Sequence, residues 1–218
     1  MNAILLRNML ISAILLAGFG GLGTGLVVAT FEATKDQIEA SEKANLLKNL
    51  NNILPADSYS NNLLDNELIV PDDSLLGNEG VTSVYQAWQG DKPVAVAFSI
   101  VAPDGYSGNI RLLIAIKASG KISGVRVISH KETPGLGDKI ELAKDDWILG
   151  FNDKEQNNPD VKNWKVKKDG GVFDQFTGAT ITPRAVVRAV HRALDYFAYN
   201  QKKLFLDQAK YDQLYDNK

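Results

Sequence analysis

The chain contains no cysteine, which removes a disulfide scaffold, a thiolate-ligated zinc or iron–sulfur centre and a thiol nucleophile. Histidine is almost as scarce: His130 and His191 stand far apart in sequence, and a histidine-rich transition-metal site is disfavoured with it. Redox chemistry in this chain would therefore need an organic cofactor. Basic charge is not in excess either. With 24 Lys+Arg against 26 Asp+Glu the formal net charge is -2, without the clustered basic face that binding nucleic-acid phosphates requires. What is present is ordinary for a packed protein. Over 218 residues, 44% are hydrophobic and 23% charged, enough for one substantial domain and a small appendage.

Residues 8–31 carry no charged side chain and are long enough to cross a hydrocarbon layer, which takes about 20 helical residues. They read as a membrane span. A cleaved signal peptide is the competing reading, with Val27-Val28-Ala29 as a weak cleavage site, but such apolar stretches run only about 7–15 residues. Arg7 on one side and Lys35, Lys43 and Lys48 on the other leave the positive-inside balance undecided. A signal-anchor at the start of a chain leaves the following domain to be translocated, so the expectation is a periplasmic main domain. Gly21 and Gly25, with Gly18, Gly20 and Gly23 nearby, either permit close packing on a partner helix or reflect the general frequency of glycine in such helices.

Ile38, Leu46, Leu47, Leu50, Ile53 and Leu54 recur near helical spacing, so a second, membrane-proximal helix is expected over residues 34–54, stopped by Pro55. Residues 56–80 read as a connector. From Val81 the pattern becomes strand-like in four runs, residues 81–88, 94–102, 109–118 and 122–130, separated by Gly-containing turns. A final helix is marked by Thr182 as cap, Pro183 at the first helical position and a stripe of Val186, Val190, Ala193, Leu194 and Phe197. Residues 202–218 would continue that helix before fraying. The expected fold is α+β, an antiparallel sheet packed with helices and preceded by one transmembrane helix.

Two patches place special residues where core packing does not need them. One is His130-Lys131-Glu132-Thr133-Pro134-Gly135-Leu136-Gly137, after a strand. The other is Asp174-Gln175-Phe176-Thr177-Gly178-Ala179-Thr180, before the last helix. In the second, small residues and hydroxyls precede a helix amino terminus, whose free N–H groups and positive dipole end favour a phosphate. A small-residue turn that merely caps a helix has the same appearance. His130 and Glu132 could act as an acid–base pair on one face of a strand, although His-x-Glu is common by chance. His191 reads as a surface residue.

The second patch matches the Asp-x-x-Ser/Thr-Gly-Ala-Ser/Thr motif at every specified position, and so resembles the FMN-binding domain shared by the G subunit of Rnf/Rsx electron-transport complexes and the C subunit of sodium-pumping NADH:quinone reductase. GYSGNI (residues 105–110), HKETPGLGDKIE (130–141) and DGGVFDQFTGATITPRAVVRAV (169–190) extend the likeness to the Rnf/Rsx protein. The length of the chain and the 138–141 continuation favour the Rnf/Rsx branch. The resemblance implies that Thr180 carries FMN through a phosphoester, making the chain a phosphate-modified flavoprotein. It also implies a separate flavin transferase that uses FAD and recognises residues 174–180. No general base stands beside Thr180 to activate its weakly nucleophilic hydroxyl, in keeping with an external enzyme. Further cofactor contacts would come from Asp174, Thr177, Gly178, Ala179 and Thr182, and from a second wall of His130, Glu132, Thr133, Gly135, Leu136 and Gly137 with Tyr106.

The expected organisation is a cytoplasmic terminus (residues 1–8), a transmembrane helix (9–31), a membrane-proximal helix and connector (32–80), a periplasmic FMN-binding domain (81–206) and a tail (207–218). The expected role is electron carriage through covalent FMN in an ion-translocating inner-membrane complex, alongside its other membrane subunits. In the Rsx branch such a complex keeps a redox-sensing transcription regulator reduced. The chain would be a redox-active subunit with no independent turnover. A standalone membrane-anchored flavin sensor or binding module, and a cleaved hydrolase using His130 and Glu132, are the alternatives.

Overall fold

A computed structural model describes residues 3–216 of the chain, which forms two compact units, Met1–Leu46 and Leu47–Lys218. The first unit is helical. It belongs to α1 (Ala3–Asn51), a single uninterrupted helix rather than a span followed by a second helix. No proline or glycine falls between Phe31 and Asn51 to break it. Thr30 and Thr34, the polar residues at the junction, return their hydroxyl protons to the helix, donating to the carbonyls of Leu26 (2.8 Å) and Thr30 (2.9 Å). This is the one helix among the described residues long and apolar enough to cross a membrane, and Leu16, Phe19, Leu22 and Leu26 on it are exposed.

The second unit is built on an antiparallel sheet of β1 (Glu67–Val70), β2 (Thr82–Gln89), β3 (Lys92–Gly105), β4 (Gly108–Lys117) and β5 (Ile122–Ser129), in sequence order across the sheet. Residues paired across antiparallel strands share a face. One ladder runs Val84, Phe98, Ile114, Val125, all fully buried. It faces α2 (Ile181–Asn200), where Tyr196 meets Phe98 edge-on at 5.8 Å. The neighbouring ladder runs Tyr85, Ala97, Ala115, Gly124, and Ile53 packs against its glycine end. A Cβ on Gly124 would lie 3.0 Å from the Ile53 Cα. Residues around Leu50, Ile53 and Leu54 thus cover the second face, and β3 and β4 are buried on both sides through their middles.

Three further features of the second unit depart from the sequence expectation. β1 lies in the stretch read as a connector; four residues are too few to show alternation, and the strand is secured from outside, since Gln208 accepts from the Ile69 N–H (2.8 Å) and donates to its carbonyl (3.3 Å). This side-chain pairing closes an otherwise open sheet edge. Residues 202–218 do not prolong α2. The buried Gln86 amide donates to the carbonyls of Leu204 (3.0 Å) and Leu206 (2.7 Å), drawing the chain back to the sheet before α3 (Gln208–Asp216) begins. His191 is not a surface residue: its ring lies 5.0 Å from that of Trp164, because the loop segment around Trp164 covers this side of α2.

Between β5 and α2 the chain runs through short 3-10 turns wrapped on an aromatic cluster. Phe151 is fully buried, stacked on Phe173 (4.7 Å between centroids) and Trp164 (6.4 Å) and met edge-on by Trp147 (5.3 Å). Trp147 in turn packs on Phe176 (5.1 Å), inside the second patch.

Candidate functional site

The heptad from Asp174 to Thr180 is anchored at one end and open at the other. Phe176 is buried in the aromatic cluster, while the Trp147 indole N–H donates to the Asp174 carbonyl (2.8 Å). The Asp174 carboxylate pairs with Lys167 (2.6 Å), and Gln175 accepts from the Lys168 N–H (3.1 Å). A tight turn follows, in which the Ala179 N–H donates to the Phe176 carbonyl (3.2 Å) and Gly178 takes a φ of +83°, a left-handed conformation that favours glycine. The turn delivers Thr180 to the amino terminus of α2.

The helix starts earlier than its sequence suggests. Thr180, not Thr182, is the cap position, and Pro183 is the third helical residue. The Thr180 side chain makes no capping hydrogen bond, so its half-buried hydroxyl is uncommitted. Thr182 is turned inward instead, almost fully buried, and its hydroxyl donates to Glu132.

An open cleft of about 460 Å³ lies in front of this terminus, lined by Tyr106, Glu132, Thr133, Leu136, Gly137, Gly178, Ala179, Thr180, Ile181 and Thr182. That volume is within the range of about 300–1,000 Å³ typical of cofactor pockets. Of the thirteen residues singled out in the sequence, nine meet here. The other four do not. Asp174 and Thr177 line a neighbouring polar hollow beneath the heptad, His130 faces a different hollow with Arg126 and Glu141, and Gly135 is an exposed turn residue with φ +78°. Ile181 was not anticipated; its only sequence signal is its place directly after Thr180. Trp147 and Lys167, which hold the heptad from outside it, were also missed.

His130 and Glu132 do not form an acid–base pair. β5 ends at Ser129, so the two residues lie beyond the strand and do not share a strand face. The Glu132 N–H donates to His130 Nδ1 (2.9 Å), which fixes Nδ1 as an acceptor and leaves Nε2 to donate to Glu141 (2.6 Å). Both Glu132 oxygens also accept hydrogen bonds, and His130 lines a hollow other than the cleft, so the two side chains do not face a common site.

Asp169 and Arg184 tie the loop before the heptad to the first turn of α2 through two hydrogen bonds of 2.6 Å. The bond from Arg184 holds the Asp169 carboxyl below its ordinary range, partly opposed by desolvation, and raises the Arg184 guanidinium in turn. Because the folded-state value is depressed, the stabilisation is present above the unfolded carboxyl value of about 3.9 and is lost as pH falls through the folded one. Asp169→Asn is expected to lower the thermal midpoint at pH 7 and to match the wild type well below the folded carboxyl value, which flattens the acid limb of a plot of midpoint against pH. An unchanged acid limb would mean that the pair contributes nothing.

The elements fit a phosphate-bearing, flat cofactor. An uncommitted hydroxyl sits at a helix amino terminus, small residues floor the cleft, and the exposed side chains of Tyr106 and Leu136 offer apolar walls. Sequence comparison agrees: residues 105–195, which span every residue of the cleft, match the FMN-binding domain family, so the second unit carries an FMN-binding domain. Residues 1–53 match the family of the RnfG N-terminal region. The chain is 47% identical over 204 residues to the G subunit of the ion-translocating oxidoreductase complex of Pseudomonas aeruginosa, covering 94% of this chain and 95% of the relative. It is 46% identical over 199 residues to the corresponding protein of Shewanella amazonensis (91% and 93%) and 47% identical over 193 residues to that of Vibrio atlanticus (88% and 92%). The chain belongs to the family of G subunits of ion-translocating oxidoreductase complexes.

Proposed function

We propose that this chain is the FMN-bearing electron-carrier subunit of a membrane-bound ion-translocating oxidoreductase complex, with FMN joined to Thr180 through a phosphoester. The observation that carries the reading is the uncommitted Thr180 hydroxyl, at the amino terminus of α2 and on the rim of the cleft. Attachment there is the work of a flavin transferase acting on FAD: the Thr180 oxygen bonds to the FMN phosphorus, and AMP leaves. The bound flavin supplies one- and two-electron redox chemistry that no side chain of this chain offers.

The chain's own residues bind and orient. The first-turn amides of α2 and the positive end of its dipole stabilise the phosphate. Gly178 lets the backbone approach the ligand, and Tyr106 and Leu136 flank it. The apolar stretch of α1 anchors the subunit in the inner membrane beside the other subunits of the complex, with the FMN-binding domain in the periplasm. The complex couples electron transfer to ion movement, or keeps a redox-sensing regulator reduced; this subunit turns over no substrate alone.

Detergent extraction of membranes containing the tagged full chain and the remaining subunits tests the assembly. The expected result is co-purification with integral-membrane partners and reduction of the bound flavin when donor is added to the complex, but not to the isolated subunit. A loaded chain that purifies alone under mild extraction would favour the standalone sensor.

A further inference from the structure

Glu132 is the least accommodated residue of the cleft on simple physical grounds. It is a carboxylate with 4% of its surface exposed, yet no cationic side chain among the described residues bonds to it. Its partners are all polar donors from other walls of the cleft. Oε1 accepts from the Ser107 N–H (2.9 Å), and Oε2 accepts from the Tyr106 N–H (3.3 Å) and from the Thr182 hydroxyl. Tyr106 and Ser107 form the two-residue tip between β3 and β4, Thr182 lies in the first turn of α2, and Glu132 opens the 133–137 turn. One carboxylate therefore joins the three segments that line the cleft.

The backbone around it is shaped to admit it. A Cβ on Gly105 would come within 2.9 Å of Glu132 Oε1, besides striking the Gly108 carbonyl. A Cβ on Gly137 would lie 2.9 Å from the Glu132 Cβ and 2.9 Å from the Thr182 hydroxyl oxygen. The φ of Gly137 is -87°, which any residue adopts, so its lack of a side chain is a matter of space and not of backbone freedom. On the outer side, the Glu132 N–H is held by His130 Nδ1, itself fixed by Glu141. Two close-approach glycines and a histidine bracket serve one buried carboxylate.

We propose that Glu132 is a positioning residue: its carboxylate sets the first turn of α2, and so the Thr180 hydroxyl, against the Tyr106 tip and the 133–137 wall. This rests on the reading of Thr180 as the FMN carrier for its consequence, but not for the arrangement itself. The carboxylate also places negative charge at the cleft, which opposes electron gain by a flavin there.

Glutamine keeps the shape of Glu132 but replaces one acceptor oxygen with a donor, leaving either the Tyr106 or the Ser107 N–H unpaired. Hydrogen exchange on the flavin-free full chain in detergent tests the arrangement alone. Glu132→Gln and Gly137→Ala are each expected to speed exchange at the Tyr106 and Ser107 amides at least tenfold, leaving the centres of β3 and β4 protected. Coexpression with a flavin transferase tests the consequence: attachment to Glu132→Gln and Thr182→Val slows at least fivefold, and Thr182→Ser restores it. Flavin that does attach to Glu132→Gln shows an altered visible circular dichroism spectrum and a higher midpoint potential. Unchanged exchange at the tip, or wild-type attachment, spectrum and potential in Glu132→Gln, would overturn the proposal. A wild-type chain that acquires no flavin while the tip amides of Glu132→Gln exchange faster would instead refute the Thr180 reading and leave the positioning intact.

Discussion

Thr180→Ala is expected to leave the domain folded and to abolish flavin that survives denaturation. Thr180 is half-buried, makes no capping bond, and has φ -83° and ψ -25°, a conformation alanine adopts. Its replacement should change stability by no more than about 0.5 kcal/mol, as at other partly exposed positions without special contacts. The hydroxyl and the γ-methyl are lost, and a phosphoester cannot form without the hydroxyl. Thr180→Ser retains a hydroxyl and should still be loaded. Thr177 and Thr182 offer no substitute: Thr177 lines the neighbouring hollow, and the Thr182 hydroxyl is buried on Glu132. Fluorescence of the variants in a denaturing gel, after coexpression with a transferase, reads the result. A fluorescent Thr180→Ala band would remove Thr180 from the account.

The second large effect is expected far from any hydroxyl. Phe151→Ala should destabilise the second unit by about 3–5 kcal/mol, the usual cost of deleting a buried aromatic ring. For a domain of this size that lowers the thermal midpoint by roughly 10 °C. Phe151 has no exposed surface and is packed on Trp147, Trp164 and Phe173, so the ring leaves a cavity that three large neighbours cannot fill without moving. The damage should spread to the heptad, because Trp147 holds both Phe176 and the Asp174 carbonyl. Slower flavin attachment is therefore expected even at temperatures where the variant is folded. Thermal unfolding followed by near-ultraviolet circular dichroism checks the first part; a shift below about 2 °C would mean that the cluster collapses around the gap.

The aromatic cluster also shows where sequence patterning is silent. The four longer strands were legible because turn residues punctuate apolar, β-branched runs, and α2 because its stripe repeats at helical spacing. Residues 142–168 have neither period. Their order comes from Trp147, Phe151 and Trp164 meeting Phe173 in space, which no local pattern encodes. β1 was hidden for the same reason, being secured by Gln208, far along the chain.

At the cleft, the motif made Thr180 legible through its family resemblance, and the small residues beside it through their freedom to approach a ligand. What could not be read was the division of labour. Glu132 and Thr182 were both expected to face the cofactor; the structure shows their polar atoms bonded to each other. Asp174 and Thr177 belong to the motif but line the other side of the heptad. Local sequence lists the polar groups of a site, while the tertiary fold decides which of them are already satisfied.

The most direct test is the mass of one peptide. Trypsin cutting after Lys168 and Arg184 releases residues 169–184, which hold Thr177, Thr180 and Thr182 together. From the full chain made with an active transferase, this peptide should gain the mass of FMN less water, with fragmentation placing the gain on Thr180. An unmodified peptide, or a gain on Thr177 or Thr182, would contradict the account.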